Sequence, residues 1–133
     1  MPQAERERAE KEKKARIVIR EAVMEDAAAI AEMEHQIFAD AWSEKSVLDT
    51  INQKNTICLA AEKAGRLVGY LLAYAAADEA EIARIAVTEE FQRQGAGRAL
   101  ILGLETVCEE NKIEKLLLDV RESNETARTF YAE

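Results

Sequence analysis

The chain is poor in residues that would mark several common protein classes. Among 133 residues there are two cysteines, Cys58 and Cys108, one histidine, His35, one proline and one tryptophan. Two separated cysteines and a lone histidine nearly exclude a four-ligand Cys/His zinc site and make no disulfide framework. No metal is expected. No apolar run approaches the roughly 20 residues of a membrane-spanning helix, and the charged N-terminus is unlike a secretory leader. Excess positive charge is also lacking: 18 Lys and Arg stand against 26 Asp and Glu, a formal net charge of −8. Direct nucleic-acid coating needs clustered positive charge and is not expected. With 48% hydrophobic and 33% charged residues, the chain reads as a cytoplasmic, soluble protein with one core.

Residues 1–16 hold four acids and six bases and little that is apolar beyond alanine. Such a stretch cannot bury enough surface to offset its ordering entropy. A charged flexible tail or solvated helical extension is therefore expected over 1–15, and a folded domain over 16–133. A tether to a ribosome or RNA is the alternative use of the tail.

Beyond the tail, Arg16 to Arg20 is a short β-branched run that predicts a strand. Over Met24 to Asp40, Ile30, Met33, Ile37 and Phe38 form one helical stripe, with Glu25, Asp26, Glu32 and Glu34 among the polar positions. Ser43 suits the N-cap of a second helix carrying Val47, Leu48 and Ile51 inward. Thr56 to Glu62 and Leu67 to Ala77 are apolar runs about a Lys63-Ala64-Gly65-Arg66 turn, which predicts a β-hairpin. A strand over Glu79 to Val87, a helix over Arg98 to Asn111 and a strand over Lys115 to Arg121 follow, then a last helix from Asn124. Strand–helix–strand in this order is a right-handed crossover between parallel strands. The pattern predicts an α/β or α+β fold: a mixed sheet of about six strands flanked by helices.

Between the Val87 strand and the next helix lies Gln92-Arg93-Gln94-Gly95-Ala96-Gly97-Arg98. The first turn of a helix presents N–H groups without intrahelical partners and the positive end of the helix dipole. Gly95 and Gly97 would let a pyrophosphate approach, and Arg93 and Arg98 would add charge. The alternative is that the glycines only allow close strand–helix packing. A P-loop is excluded, since Gly97 is followed by Arg98-Ala99 rather than Lys-Ser/Thr. A dinucleotide fingerprint is excluded too, because Leu100 stands where a third glycine belongs.

Gln92 to Gly97 resembles the acetyl-CoA motif Q/R-x-x-G-x-G/A of the GNAT (GCN5-related) N-acetyltransferases. Asp78-Glu79-Ala80, Arg98-Ala99-Leu100, Val120-Arg121-Glu122-Ser123-Asn124 and Phe130-Tyr131 extend the match. They resemble the bacterial ribosomal-protein-alanine N-acetyltransferases of the RimI type. Trp42-Ser43-Glu44 is similar as well, although Ala41 stands where that family has proline. The likeness covers about Ile17 to Glu133.

The resemblance implies the acyl-CoA N-acyltransferase fold, with a splayed central sheet, and acetyl-CoA as cosubstrate. It implies contacts to acetyl-CoA from the backbone of Ile85, Ala86 and Val87 and from the Arg93, Gln94, Gly95, Ala96, Gly97 and Arg98 amides. The Val87 amide would polarise the thioester oxygen. Asn124 matches a cofactor-contacting position, with helix N-capping as its alternative. Asp119 stands where the family has a glutamate base, about one methylene shorter, so a relayed water is an expected requirement; an outward-facing strand residue is its alternative reading. Glu79 and Glu81 are rival bases. Tyr131 matches the family's general acid toward the coenzyme A thiolate, against a core aromatic pair with Phe130. Cys108 reads as a packed thiol, His35 as a surface or packing residue, and Trp42 as either peptide-entry wall or core.

The implied acceptor is a protein N-terminus, namely the N-terminal alanine of a ribosomal protein. The rivals are a small-molecule amine or lysine acceptor, and a non-catalytic acyl-CoA-binding module. Family members continue past the Tyr131-Ala132-Glu133 found here into two last strands, so a C-terminally incomplete fold is expected. A partner chain covering the resulting sheet edge is the corresponding expectation.

Overall fold

The computed structural model describes residues 2–8 and 16–118. Residues 3–8 are helical and exposed. The body runs β1 (Val18–Glu21), a 3-10 turn (Met24–Asp26), α1 (Ala27–Ile37), α2 (Glu44–Asn52), β2 (Thr56–Lys63), β3 (Arg66–Ala76) and β4 (Glu79–Val87). A second 3-10 segment (Glu89–Gln94), α3 (Ala96–Glu110) and β5 (Lys115–Leu118) complete it. Among the described residues no helix is long and apolar enough to cross a membrane.

The sheet is mixed, in the order β1-β2-β3-β4-β5. The first three ladders are antiparallel. β4 and β5 pair in parallel over Glu79↔Lys115 to Ile82↔Leu118, as the crossover through α3 requires. The β2–β3 turn has positive φ at Ala64 (53°) and Gly65 (78°), the geometry of a tight two-residue hairpin loop. The left-handed Ala64 is tolerated there because the turn's twist matches the strands.

Helices cover both faces. On one face Leu100, Leu104 and Cys108 of α3 pack on Leu59, Leu71, Ile82, Ile85 and Val87. Each fully buried leucine contributes about 2 kcal/mol of apolar burial. On the other face Ile30, Met33, Phe38 and Val47 cover Ala60, Tyr70, Leu72 and Ala86. Of the expected stripes, Ile30, Met33, Phe38 and Val47 are buried and Ile37, Leu48 and Ile51 partly so, and Ser43 caps α2 by accepting the Ser46 N–H at 3.1 Å. Both cysteines are free and buried. Burial pushes each thiol's pKa up, consistent with packed side chains.

An irregularity in β4 decides which way its last side chains point. The β3–β4 register passes from Leu72↔Arg84 to Ala73↔Ile82, leaving Ala83 as an extra residue in β4. A bulge bends its strand and reverses which face later side chains take. Ile82 and Ile85 accordingly both face α3, while Ala86 faces α1.

Candidate active site at the end of β4

The segment after β4 departs from the sequence expectation in one respect. The helix was expected from Arg98, but α3 begins at Ala96, and Glu89 to Gln94 form a 3-10 segment. Gly95 sits between the two as N-cap of α3, with φ 84° and ψ 11°. That left-handed conformation reverses the chain between two helical segments of different pitch and favours glycine. Gly97 lies inside the first turn and is buried. Gly95 is favoured at its own position by its backbone angle.

The first intrahelical bond runs from the Ala99 N–H to the Gly95 carbonyl at 2.9 Å. The amides of Ala96, Gly97 and Arg98 come before any such partner in the helix, at the positive end of its dipole. A methyl built on Gly95 would meet nothing within 4 Å, so its side-chain direction is open. Arg93, Gln94, Gly95 and Arg98 are exposed. The segment expected to cradle a phosphate thus spans the end of the 3-10 segment and the first turn of α3, where Ala96 and Gly97 are buried.

Lys63, read from sequence only as a turn residue, reaches into this loop. Its Nζ donates to Gln94 Oε1 at 3.0 Å and lies 5.3 Å from the Phe91 ring centre. It ties the β2–β3 hairpin to the 3-10 segment.

The preceding strand end faces the same region. The Thr88 N–H bonds the Val68 carbonyl on β3 at 2.9 Å. Because backbone groups alternate sides along an extended strand, the Val87 N–H points away from β3, toward the β5 side. Gln92 Nε2 donates to the Val87 carbonyl at 3.2 Å. Ile85, Ala86 and Val87 are buried.

Of the rival bases, Glu79 opens β4 and pairs with Lys115 at 3.7 Å. At about 3.3 Å per residue it lies roughly 25 Å along the strand from Val87, too far to serve an acyl group held there. Glu81 is exposed, opposite Tyr74 in the ladder. Asp119, Asn124 and Tyr131 lie outside the described residues. Among the described residues, no three His, Cys, Asp or Glu side chains are grouped to hold a metal ion. His35 is exposed on α1. A groove of about 770 Å³ lies between α3 and the β1–β2 pair, lined by residues such as Ile19, Cys58 and Val107. Of the predicted site residues that are described, none borders it.

Sequence reasoning missed a cluster on the opposite face of β4. Glu34, Tyr70 and Arg84 are buried together with Trp42 packed alongside. The signal lay in the sequence: one arginine inside Ile82-Ala83-Arg84-Ile85-Ala86-Val87, an otherwise apolar strand end.

Known proteins are similar to this chain in sequence and fold. Residues 27–133 match the family model described as "Acetyltransferase (GNAT) family". The [ribosomal protein bS18]-alanine N-acetyltransferase of Escherichia coli (strain K12) is 31% identical over 106 residues, which is 80% of this chain and 71% of the relative. The crystal structure of the ribosomal-protein-S18-alanine N-acetyltransferase from Escherichia coli superposes with a TM-score of 0.77 at 29% identity. That match covers 88% of this chain and 75% of the other. An N-acetyltransferase from Thermoplasma acidophilum, solved in complex with coenzyme A, shares the fold with a TM-score of 0.74 at 21% identity, covering 88% and 87% of the two chains. The chain belongs to the GNAT acetyltransferase family and is an acetyl-CoA-dependent N-acetyltransferase.

Proposed function

We propose that the protein transfers the acetyl group of acetyl-CoA to a protein N-terminal amine, its acceptor being the N-terminal alanine of a ribosomal protein in the cytoplasm. The observation that carries this reading is the mouth of α3. There Gly95, at φ 84° and with open space where a side chain would stand, starts the helix that follows β4. Backbone N–H groups at a helix start suit a pyrophosphate, and Arg93 and Arg98 supply the positive charge that an acidic body otherwise lacks. The naming of the Escherichia coli relative at 31% identity supports the acceptor class.

Acetyl-CoA supplies the acyl group. The chain's part is to hold the diphosphate on the Arg93 to Arg98 amides and to direct the Val87 N–H at the carbonyl oxygen, where negative charge develops. The acceptor must attack as a neutral amine. An α-amino group titrates near ~7.7–8.0, against ~10.4 for lysine, so an N-terminus asks less of its base. In this reading Asp119 takes that proton, directly or through a water. A C–N bond forms, the C–S bond breaks, and Tyr131 gives its phenolic proton to the leaving thiolate. Asn124 would contact the coenzyme.

The test is incubation with acetyl-CoA and a basic peptide beginning with alanine, followed by mass analysis. One acetyl group on the α-amine is the expected result. Acetylation of lysine side chains or small amines alone would replace the acceptor. Coenzyme A binding with no transfer to any amine would mark a binding module instead.

A further inference from the structure

The face of β4 turned away from α3 carries charges that the fold alone does not need. Glu34 of α1 and Tyr70 of β3 are fully buried, and Arg84 of β4 is 4% exposed. Glu34 Oε1 accepts the Trp42 backbone N–H at 2.9 Å and Arg84 Nε at 3.0 Å, while Oε2 accepts the Tyr70 hydroxyl. Burial, then the Glu34 charge, raises the Tyr70 pKa far above its ordinary value, so the phenol stays a donor. Arg84 NH2 reaches onward to the Asp40 carbonyl at 2.6 Å and to Asp40 Oδ1 at 3.2 Å. Its guanidinium lies 4.2 Å from the Phe38 ring centre and 5.6 Å from that of Trp42.

Stability is a weak reason for such a cluster. An apolar trio of similar volume commonly holds a core as well as a buried ion pair does. What an apolar trio cannot do is fix an irregular segment by directional bonds. Residues 38–43 belong to no helix or strand, yet Arg84 and Glu34 hold three of their groups: the Asp40 carbonyl and carboxylate and the Trp42 amide. The bulge at Ala83 is what turns Arg84 onto this face, one residue before Ile85.

An amine attacking an acyl group held at Ile85 to Val87 needs a path to that strand end. Helix α3 covers one face there, and α1 with the 38–43 segment borders the other. Trp42 also lines a cleft of about 320 Å³ with Ser46, Asp49, Thr50, Gln53 and Tyr74. We propose that Glu34, Tyr70 and Arg84 are positioning residues that fix the 38–43 segment as the acceptor-side wall of the transfer site. They act on the amine substrate and leave the coenzyme site on the other side of β4 untouched. This rests on the transfer reading given above.

Arg84→Lys keeps the charge and gives up the fork and the ring stacking. In the folded variant the acetyl-CoA Kd should stay within about twofold, while kcat/KM for the peptide falls by about tenfold or more, as expected when a reacting group is misplaced. Should Arg84→Lys fail to fold, Asp40→Ala removes one partner at the partly exposed end of the cluster. It should raise the peptide KM several-fold, with the acetyl-CoA Kd unchanged. The inference is overturned if acetyl-CoA affinity and peptide turnover fall together in step with melting temperature, or if neither moves. A wild-type chain that acetylates the peptide while both variants match it overturns this inference alone. A wild-type chain that acetylates no amine overturns the transfer reading, and this inference with it.

Discussion

Gly69 stands opposite Val87 across the β3–β4 ladder, and a methyl built on it would lie 2.9 Å from the Ala86 carbonyl oxygen and 3.0 Å from Val87 Cγ2. The strand end that is to hold the acyl group is thus packed against a position with no room for a side chain. Gly69→Ala must push β4 outward, since the nearest atom belongs to backbone. A loss of about 1–3 kcal/mol in stability is expected, as for overpacked cores. Coenzyme A affinity should fall with it, which calorimetry on the folded fraction will show.

Gly95 gives the complementary case. A side chain there meets no neighbour but is forced to φ 84°, costing about 1–2 kcal/mol. Gly95→Val should therefore leave a folded protein with a lower melting temperature and no measurable coenzyme A binding. Wild-type affinity in this variant would remove the phosphate cradle from the account.

Arg93 and Arg98 are exposed, so each is expected to contribute modestly. Replacing either by alanine should weaken coenzyme A binding about three- to tenfold, with a shallower salt dependence of the Kd and little change in melting temperature.

These expectations rest on features that differed in how far they could be read from the chain. The stripe of Ile30, Met33, Ile37 and Phe38, with Ile37 only partly buried, the Ser43 cap and the parallel β4–β5 pair were legible because each is a local pattern or a topological rule. The start of α3 was not. Gly97 looked like loop, yet a glycine in the first helical turn costs little, and the chain reversal fell entirely on Gly95. Glu34 looked like one more polar residue on an exposed helix face. Its burial depends on Tyr70 and Arg84, 36 and 50 positions away in the chain, and no local pattern reports such a partnership. The Ala83 bulge was hidden for the same reason: alternation in Ile82-Ala83-Arg84-Ile85 is broken, but alanine fits either face.

The Arg20–Asp26 pair predicts a pH dependence of stability. Arg20 donates to both Asp26 oxygens at 2.8 Å, and the Val23 N–H adds a bond at 2.7 Å. The Arg20 guanidinium first, aided by the Val23 N–H and opposed by burial, holds the Asp26 carboxyl below the usual carboxylate range. A folded-state pKa below the unfolded value of ~3.9 contributes stability that is present above that value and lost as pH falls through the folded pKa. Asp26→Asn should cost about 1–2 kcal/mol at neutral pH, and the gap to wild type should close under acid. Urea denaturation at a series of pH values checks it.

Tyr131→Phe should slow acetyl transfer by roughly 100-fold while leaving coenzyme A affinity within about twofold, the split expected for a general acid. Equal losses in both would assign the ring to packing.

The most direct test of the central claim is a coenzyme A titration followed by the backbone amide resonances of the protein. The amides of Ala96, Gly97 and Arg98 should move most and saturate together, with the Val87 amide responding when acetyl-CoA replaces coenzyme A. Saturable binding that leaves those three amides unmoved, with the large shifts elsewhere, would contradict it.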